Sequence, residues 1–274
     1  MAKVITICNQ KGGTGKTTTA VNLAAYLAEQ AKSVLLIDID PQSNATSGLG
    51  IDKTSVKTSI YEALLSLHTS IKDIILNTPI SNLSLIPSKF DLSGAEIELV
   101  HIQKREFVLG VAIDQVKPMY DYIFIDSPPS LGLLTVNAIN AADSVLMPIQ
   151  CEYYALEGLS QLLNTIELIK TNLNPRLEIE GAVLTMADFR TNLCQQVIDE
   201  VRSFFKGKAY QTVIPRSVRL SEAPSFGKPI LLYDRTSKGA IAYRELAQEF
   251  LQRQVVKEDT TAGDRSLQPE TISE

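Results

Sequence analysis

The chain has 274 residues, 45% of them hydrophobic, which is enough for a substantial core and fits one large α/β domain. Its net charge of −5 argues against general affinity for nucleic acid, and no stretch has the length and apolarity of a membrane span. Three widely spaced cysteines and two histidines form no disulfide or metal-ligand pattern, so we expect a cytoplasmic protein without a zinc site or histidine-based catalysis.

Short apolar runs alternate with amphipathic segments along most of the chain, as expected for strands that alternate with helices. Strands are predicted at 4–8, 33–39, 83–87, 122–125, 144–148, 179–185 and 213–215. Helices are predicted after residue 16 and at 60–67, 71–76, 92–116, 133–141, 155–171, 193–205 and 238–252. Because several strands are apolar on both faces, we predict a doubly wound, mainly parallel sheet with helices on both faces.

The charge is unevenly placed along this domain, which we predict to span residues 1–252. Residues 187–244 carry ten Lys and Arg against five Asp and Glu, whereas residues 245–274 carry three against seven. Residues 253–274 are also polar and aperiodic, so we predict an acidic, disordered tail. A basic region therefore precedes an acidic C-terminus.

The stretch N-Q-K-G-G-T-G-K-T-T, residues 9–18, lies between the first predicted strand and the first helix. Glycines in such a turn let backbone N–H groups converge on an anion, and the helix N-terminus adds partial positive charge. Lys16 would reach the β- and γ-phosphates of a nucleotide, and the Thr17 hydroxyl would bind Mg²⁺. The remaining predicted phosphate contacts come from Gly12, Gly13, Thr14, Gly15 and Thr18.

The loop departs from the common pattern G-x-x-x-x-G-K-[ST] in one informative way. Gln10 stands where glycine is expected, and an extra cation, Lys11, precedes the double glycine. Two lysines in one tight loop repel each other unless negative charge lies between them. The arrangement resembles the deviant Walker A motif, K-G-G-x-G-K-T, of the ParA/MinD family of ATPases, and the likeness to its Soj/ParA branch runs from residue 1 to about 250. In that family the first lysine crosses a two-fold interface to the partner's nucleotide, a role that the resemblance gives to Lys11.

Two of the apolar strands end in aspartates. Asp126 closes the strand at 122–125 and is followed by S-P-P-S, a run similar to that after the family's Walker B aspartate, which implies a Mg²⁺ ligand. D-x-D-P-Q at residues 38–42 resembles the family's switch I. Its second aspartate, Asp40, would orient the attacking water, and it is also predicted as a Mg²⁺ ligand beside Thr17 and Asp126. Asp38 either helps to hold the ion or braces the loop.

The resemblance also implies contacts to the base and to DNA. Adenine would lie between Met186 and Pro215, although a thioether and a proline could equally be core or turn residues. Arg190 and Arg219 occupy stretches that are similar to those with which Soj-like proteins contact the DNA backbone. A two-fold dimer doubles such contacts, so DNA affinity should rise steeply on dimerisation.

The family likeness implies a segregation ATPase with ATP/ADP and Mg²⁺ as ligands. Such a protein would form an ATP-bound homodimer, bind DNA without sequence preference on the nucleoid, and be stimulated by a ParB/Spo0J-like partner. A MinD-like membrane-positioning ATPase is the main alternative. That branch ends in a basic amphipathic helix, whereas this tail is acidic, so we expect no membrane binding. A dethiobiotin synthetase-like ligase fits less well because of the extra Lys11 and the basic loop. A nitrogenase iron protein-like carrier fits less well because the three cysteines are badly placed to hold an iron–sulfur cluster.

Overall fold

The computed structural model describes residues 1–65, 69–153, 155 and 159–265, which form one eight-stranded sheet with helices on both faces. The strands are β1 (Lys3–Ile7), β2 (Val34–Asp38), β3 (Leu76–Asn77), β4 (Leu83–Ile86), β5 (Tyr122–Asp126), β6 (Ser144–Gln150), β7 (Glu178–Ala187) and β8 (Ala209–Pro215). Their order across the sheet is β3-β4-β2-β5-β1-β6-β7-β8. All neighbouring strands are parallel except β3 and β4, so the predicted doubly wound, mainly parallel sheet is confirmed.

Eleven α-helices lie within the described residues, together with four short 3₁₀ turns. They are α1 (Lys16–Glu29), α2 (Asn44–Gly48), α3 (Ile60–Leu65), α4 (Leu92–Leu99), α5 (Val108–Asp114), α6 (Leu133–Ala141), α7 (Leu159–Asn172), α8 (Asn192–Phe205), α9 (Val218–Glu222), α10 (Ile230–Tyr233) and α11 (Lys238–Arg265). The 3₁₀ turns span Ile71–Ile74, Arg105–Phe107, Lys117–Met119 and Ala223–Phe226. None of the helices in this part of the chain combines the length and hydropathy that a bilayer-spanning segment requires.

The helix predicted at 92–116 is in fact two helices, α4 and α5. Lys104 between them has a φ of +55°, which no α-helix accommodates. The buried Asn137 side chain of α6 donates to the Arg105 carbonyl (2.9 Å) and accepts from the Leu109 N–H (3.2 Å). This long-range amide satisfies the backbone groups that the break exposes, which is why local periodicity did not reveal it.

Two further helix boundaries differ from the prediction. Residues 71–76 form a 3₁₀ turn followed by the edge strand β3. Helix α11 continues to Arg265 rather than ending at Gln252. Gln254 is buried there and donates to Glu180 of β7 (2.8 Å), which fixes this part of the helix to the sheet. The last residues of the predicted tail, 266–274, and parts of the predicted helices at 60–67 and 155–171 lie outside the described residues.

The two faces of the sheet carry separate cores. One core packs β-strand residues against α4, α5, α6, α7 and α8, and the other packs them against α1 and α11. From the central β1 the chain moves to β2 and β4 on one side, returns through β5, and continues on the other side through β6, β7 and β8. Ligands of such sheets bind beyond the carboxyl ends of the strands near this reversal. That edge carries the loop after β1 and the aspartates that end β2 and β5.

Candidate active site

The loop after β1 is shaped as a cradle for an anion. Gly13 and Gly15 have φ values of +74° and +84°, the left-handed conformation that favours glycine. A Cβ at Gly13 would meet nothing within 4 Å, so the space in front of the loop is open to a ligand. Gly15 precedes the first turn of α1, which points its free N–H groups into the same space.

Lys16 carries the charge of this cradle. Its side chain is buried, and its ammonium donates to the Lys11 carbonyl at 3.1 Å. Burial lowers the pKa of Lys16, and the nearby carboxylates of Asp126 and Asp40 oppose that shift. A cation held in place at the start of a helix and beside open space fits the phosphates of a nucleotide.

Asp126 is the buried acid of the site. The sheet register places it next to Asp38 of β2 and Ile7 of β1. Within the described residues neither carboxylate oxygen has a hydrogen bond of ordinary geometry, although the Thr17 hydroxyl is close enough to lower the pKa of this carboxyl. Burial and the Asp38 charge outweigh that effect and raise the Asp126 pKa well above its usual value. A buried carboxylate without a satisfying donor and with a hydroxyl beside it fits a cation such as Mg²⁺.

In the described chain no group of three or more Asp, Glu, His and Cys side chains is arranged to hold a metal. A Mg²⁺ site of the phosphate-transfer type needs only one or two protein ligands, because phosphate and water oxygens complete the shell. Of the three predicted ligands, Thr17 and Asp126 lie close together and Asp40 lies near Asp126, and their role as ligands stays a prediction.

Asp38 braces the loop that carries Asp40. One of its oxygens accepts from the Asp40 N–H (3.1 Å), and the other accepts from the N–H and hydroxyl of Thr46 (2.8 and 2.7 Å). Burial raises the Asp38 pKa to about 6 despite these hydrogen bonds. Ser88 closes the network, because its hydroxyl donates to the Asp40 carbonyl at 2.7 Å. Since the Asp40 N–H and the two Thr46 donors all bind the Asp38 carboxylate, the bracing role is the one that the structure favours.

Asp40 itself is only 7% exposed, and one oxygen accepts from the Gln42 N–H at 2.9 Å. Its charge acts on both Lys16 and Asp126, so the three predicted residues lie together at the carboxyl edge of the sheet. The turn that it forms with Gln42 fixes the direction of the carboxylate, as a positioning group for water requires.

Met186 and Pro215 line one cavity of about 330 Å³, together with Gly15, Thr18 and Tyr243. The Met186 methyl would lie 3.8 Å from a Cβ added at Gly15, so the cavity adjoins the phosphate loop. The size and largely apolar lining suit an aromatic base. Tyr243 of α11 was not predicted, because its hydrogen bond to Thr19 of α1 (3.1 Å) joins residues far apart in sequence.

Lys11 is the one loop lysine that faces outwards. Its side chain is 43% exposed and its ammonium lies 3.5 Å from Glu152, whose other oxygen lies 3.5 Å from Arg216. Glu152 was not predicted as a partner, because no spacing in the sequence links it to residue 11. The two lysines of the loop thus point to different places, one into the cradle and one to the surface.

Arg190 and Arg219 follow neighbouring strands. Arg190 comes directly after β7 and Arg219 lies in α9, just after β8. The register pairs Ala187 with Pro215, and the Arg216 N–H donates to the Ala187 carbonyl at 3.0 Å. The two predicted DNA-contacting segments are therefore adjacent at the same sheet edge as the phosphate loop, and both arginine side chains are exposed.

Comparison with known proteins identifies the family of this chain. The family model described as "AAA domain" matches residues 2–179. The sporulation initiation inhibitor protein Soj of Bacillus subtilis is 60% identical over 91% of this chain and 98% of its own length. The chain belongs to the ParA/Soj family of chromosome-partitioning ATPases. The chromosome partitioning protein ParA of Myxococcus xanthus is 54% identical over 94% of this chain and 90% of its own length.

Solved structures extend the comparison to the ligands. Cobyrinic acid a,c-diamide synthase from Mycobacterium smegmatis, with ADP and magnesium bound, superposes with a TM-score of 0.82 at 36% identity, covering 93% of this chain and 96% of that one. The ParA/Soj-family chain is thus a P-loop ATPase that uses ATP, ADP and Mg²⁺. The MinD alternative is less well supported than the ParA/Soj assignment, given the 60% and 54% identities.

Proposed function

We propose that this ParA/Soj-family ATPase works as an ATP-dependent dimer that binds DNA of any sequence on the nucleoid in the cytoplasm and leaves it when ATP is hydrolysed. A ParB/Spo0J-like protein is the expected stimulator of hydrolysis. The observation that carries the proposal is the different burial of the two loop lysines: Lys16 is buried in the phosphate cradle, whereas Lys11 is exposed. A second cation outside the cradle is suited to a nucleotide held by another subunit.

The site residues would divide the reaction among them. The loop amides and Lys16 hold the phosphates of the subunit's own ATP, and Lys11 reaches the phosphates of the partner's ATP. Asp40 orients the attacking water, held by its turn to Gln42 and by the Asp38 brace. Thr17 and Asp126 hold Mg²⁺, with Asp40 beside them, and the bound ion offsets the charge of the phosphate oxygens.

DNA binding follows from the placement of the arginines. Arg190 and Arg219 are exposed on adjacent segments at the edge that also carries Lys11. Guanidinium groups bind phosphate oxygens in any sequence, so we expect backbone contacts and no base readout. Each arginine occurs twice in a two-fold dimer. The log of the affinity grows with the number of contacts, which would make DNA binding depend on ATP.

The decisive experiment measures binding to two unrelated random duplexes with no nucleotide, with ADP, and with a non-hydrolysable ATP analogue and Mg²⁺. We expect dimers and tight binding with the analogue alone, at equal affinity for both duplexes. Sedimentation on the same samples reports the oligomeric state. Equal DNA binding in all three nucleotide states, or a monomer with the analogue, would refute the proposal.

A further inference from the structure

Both predicted DNA-contacting arginines are already paired with carboxylates of their own segments. The Arg190 guanidinium forms two parallel bonds to Asp188, from Nε to Oδ1 at 2.8 Å and from Nη2 to Oδ2 at 2.6 Å. The guanidinium is nevertheless open to solvent, since the Arg190 side chain is 87% exposed. The pairing therefore occupies the Nε–Nη2 edge of the guanidinium and leaves its other N–H donors open to solvent.

Arg219 is held in a similar way from two sides. Its Nη1 donates to Glu222 at 3.0 Å, and its Nε lies 3.4 Å from Asp234. The Tyr233 hydroxyl donates to the same Glu222 oxygen at 3.0 Å and so helps to fix the carboxylate. Glu222 lies one helical turn after Arg219 in α9, and Asp234 directly follows the end of α10.

The paired carboxylates reduce the positive charge of the surface that would bind DNA. Residues 187–244 have five more basic than acidic residues, but three of their five acids lie next to the arginines: Asp188 on Arg190, and Glu222 and Asp234 on Arg219. Glu152, from outside this range, lies next to Arg216. A carboxylate and a phosphate compete for the same planar donors of a guanidinium. A phosphate that binds the paired donors of such a guanidinium must therefore displace the carboxylate.

We infer that Asp188 and Glu222 limit the affinity of this surface for DNA, by competing with the phosphate backbone for Arg190 and Arg219. Because each subunit's contacts are weakened, one subunit holds DNA poorly, and the doubled contacts of a dimer are needed. Competition of this kind increases the difference in DNA affinity between monomer and dimer. It also speeds the release of DNA once hydrolysis separates the subunits. The inference rests on the proposed DNA function and adds its regulation.

The test uses Asp188→Asn and Glu222→Gln in the full chain, with a non-hydrolysable ATP analogue, Mg²⁺ and a random duplex. Asparagine keeps the oxygen that accepts from the Arg190 backbone N–H (3.2 Å), and it removes the charge and the second oxygen, which accepts from Nη2. Each variant should bind about 2- to 30-fold more tightly, the range expected when two exposed ion pairs per dimer no longer compete. The matched control is Asp199→Asn, which removes the same charge from an exposed position on α8 and should have a smaller effect.

A double-substitution cycle separates competition from general charge. In an Arg190→Ala background the gain from Asp188→Asn should shrink to that of Asp199→Asn, because no guanidinium is left to release. Gains equal to that of Asp199→Asn in both backgrounds would overturn the inference. So would weaker binding by Asp188→Asn, which would mean that the carboxylate instead orients Arg190 for DNA. If the wild type fails to bind DNA with the analogue, the proposed function itself is wrong.

Discussion

The ammonium of Lys11 lies 3.5 Å from a carboxylate oxygen of Glu152, and both side chains are nearly half exposed, at 43% and 45%. The pair is weak at this distance and exposure, so it can be exchanged for a stronger anion at little cost. In the isolated subunit Glu152 therefore neutralises a lysine that the ATP of a second subunit could attract. The exposed pair gives Lys11 a resting position outside its own phosphate cradle.

Lys11→Ala should leave nucleotide binding largely intact and abolish the ATP-dependent dimer. The reason is that Lys16 and the loop amides hold the subunit's own phosphates, while Lys11 serves those of the partner. Sedimentation with Mg²⁺ and an ATP analogue measures the dimer, and fluorescent nucleotide titration measures binding. Lys72→Ala, which removes an exposed lysine elsewhere, should behave as wild type. A Lys11→Ala dimer as stable as the wild-type dimer would exclude the cross-subunit role.

Asp40→Ala should lower ATP turnover by about 10²- to 10⁴-fold while the ATP-bound dimer accumulates, because ATP still binds but its attacking water is no longer positioned. The substitution also removes the acceptor of the Gln42 N–H, at 2.9 Å. Asp40→Asn keeps that acceptor and serves as the matched variant. We expect both variants to form the ATP-bound dimer and to show this loss of hydrolysis in single-turnover assays. If Asp40→Asn hydrolysed ATP at the wild-type rate, the charge of the Asp40 carboxylate would not be needed for hydrolysis.

The strand-end residues were predictable from the sequence because a local motif marks each of them. The loop of residues 9–18, the aspartate that ends β5 and the apolar strands all depend on neighbours in the chain. By contrast, the break between α4 and α5 depends on Asn137, and the continuation of α11 depends on a contact between Gln254 and Glu180. Both are long-range hydrogen bonds that periodicity cannot reveal.

The partners of exposed charges were equally hidden in the sequence. Arg219 pairs with Glu222 three residues away, which helical spacing allows, but also with Asp234, which only the tertiary fold brings near. The brace from Asp38 to Thr46 has the same origin, since no helix was predicted where α2 lies. The sequence therefore identified the groups at the site but not the contacts that orient or neutralise them.

The nucleotide-free protein should lose stability as the pH rises from about 4 through 6. Burial raises the pKa of Asp38 to about 6 and that of Asp126 well above normal, so the folded state binds more protons than the unfolded state in this range. The free energy of unfolding then falls with pH, by up to about 1.4 kcal/mol per pH unit for each extra proton.

Urea denaturation at pH values from 4 to 8 tests the direction of this change in the free energy of unfolding. Asp126→Asn should make that free energy depend less on pH, and Asp199→Asn should leave its pH dependence unchanged. Mg²⁺ and nucleotide should oppose the trend, because cation binding favours the ionised carboxylate. Nucleotide-free stability that rises over pH 4 to 6, with the same slope in Asp126→Asn, would contradict the assignment of these two buried acids.

Gly227→Ala should destabilise the fold more than Gly207→Ala does. Both glycines have positive φ values, +61° and +88°, so each substitution strains the backbone by about 1 kcal/mol. Only at Gly227 would the new Cβ also lie 2.9 Å from the Gly50 Cα, where nothing flexible can yield. Thermal melts compare the two variants, and equal melting temperatures would show that the contact is not tight.

That contact joins the loop after Asp40 to the segment that carries Arg219, because Gly50 follows α2 and Gly227 ends the 3₁₀ turn after α9. Gly227→Ala should therefore also weaken ATP-dependent DNA binding, whereas Gly207→Ala should not. Random-duplex binding with an ATP analogue measures this second effect. Parallel losses in the two variants would assign the defect to stability alone.

Arg190→Ala and Arg219→Ala should each keep the ATP-dependent dimer yet weaken binding to every duplex alike. One substitution removes two phosphate contacts from a two-fold dimer, so the slope of log K against log salt should fall by up to about 2, at roughly 0.9 per contact. Arg176→Ala is the matched control, because Arg176 is exposed but precedes β7, at the opposite edge of the sheet from Arg190. Charge reversal to Glu should weaken binding more than alanine does, since it adds repulsion from the phosphates. Wild-type affinity and salt slope in both alanine variants would mean that this edge is not the DNA surface, and its arginines would then be better suited to an acidic protein partner.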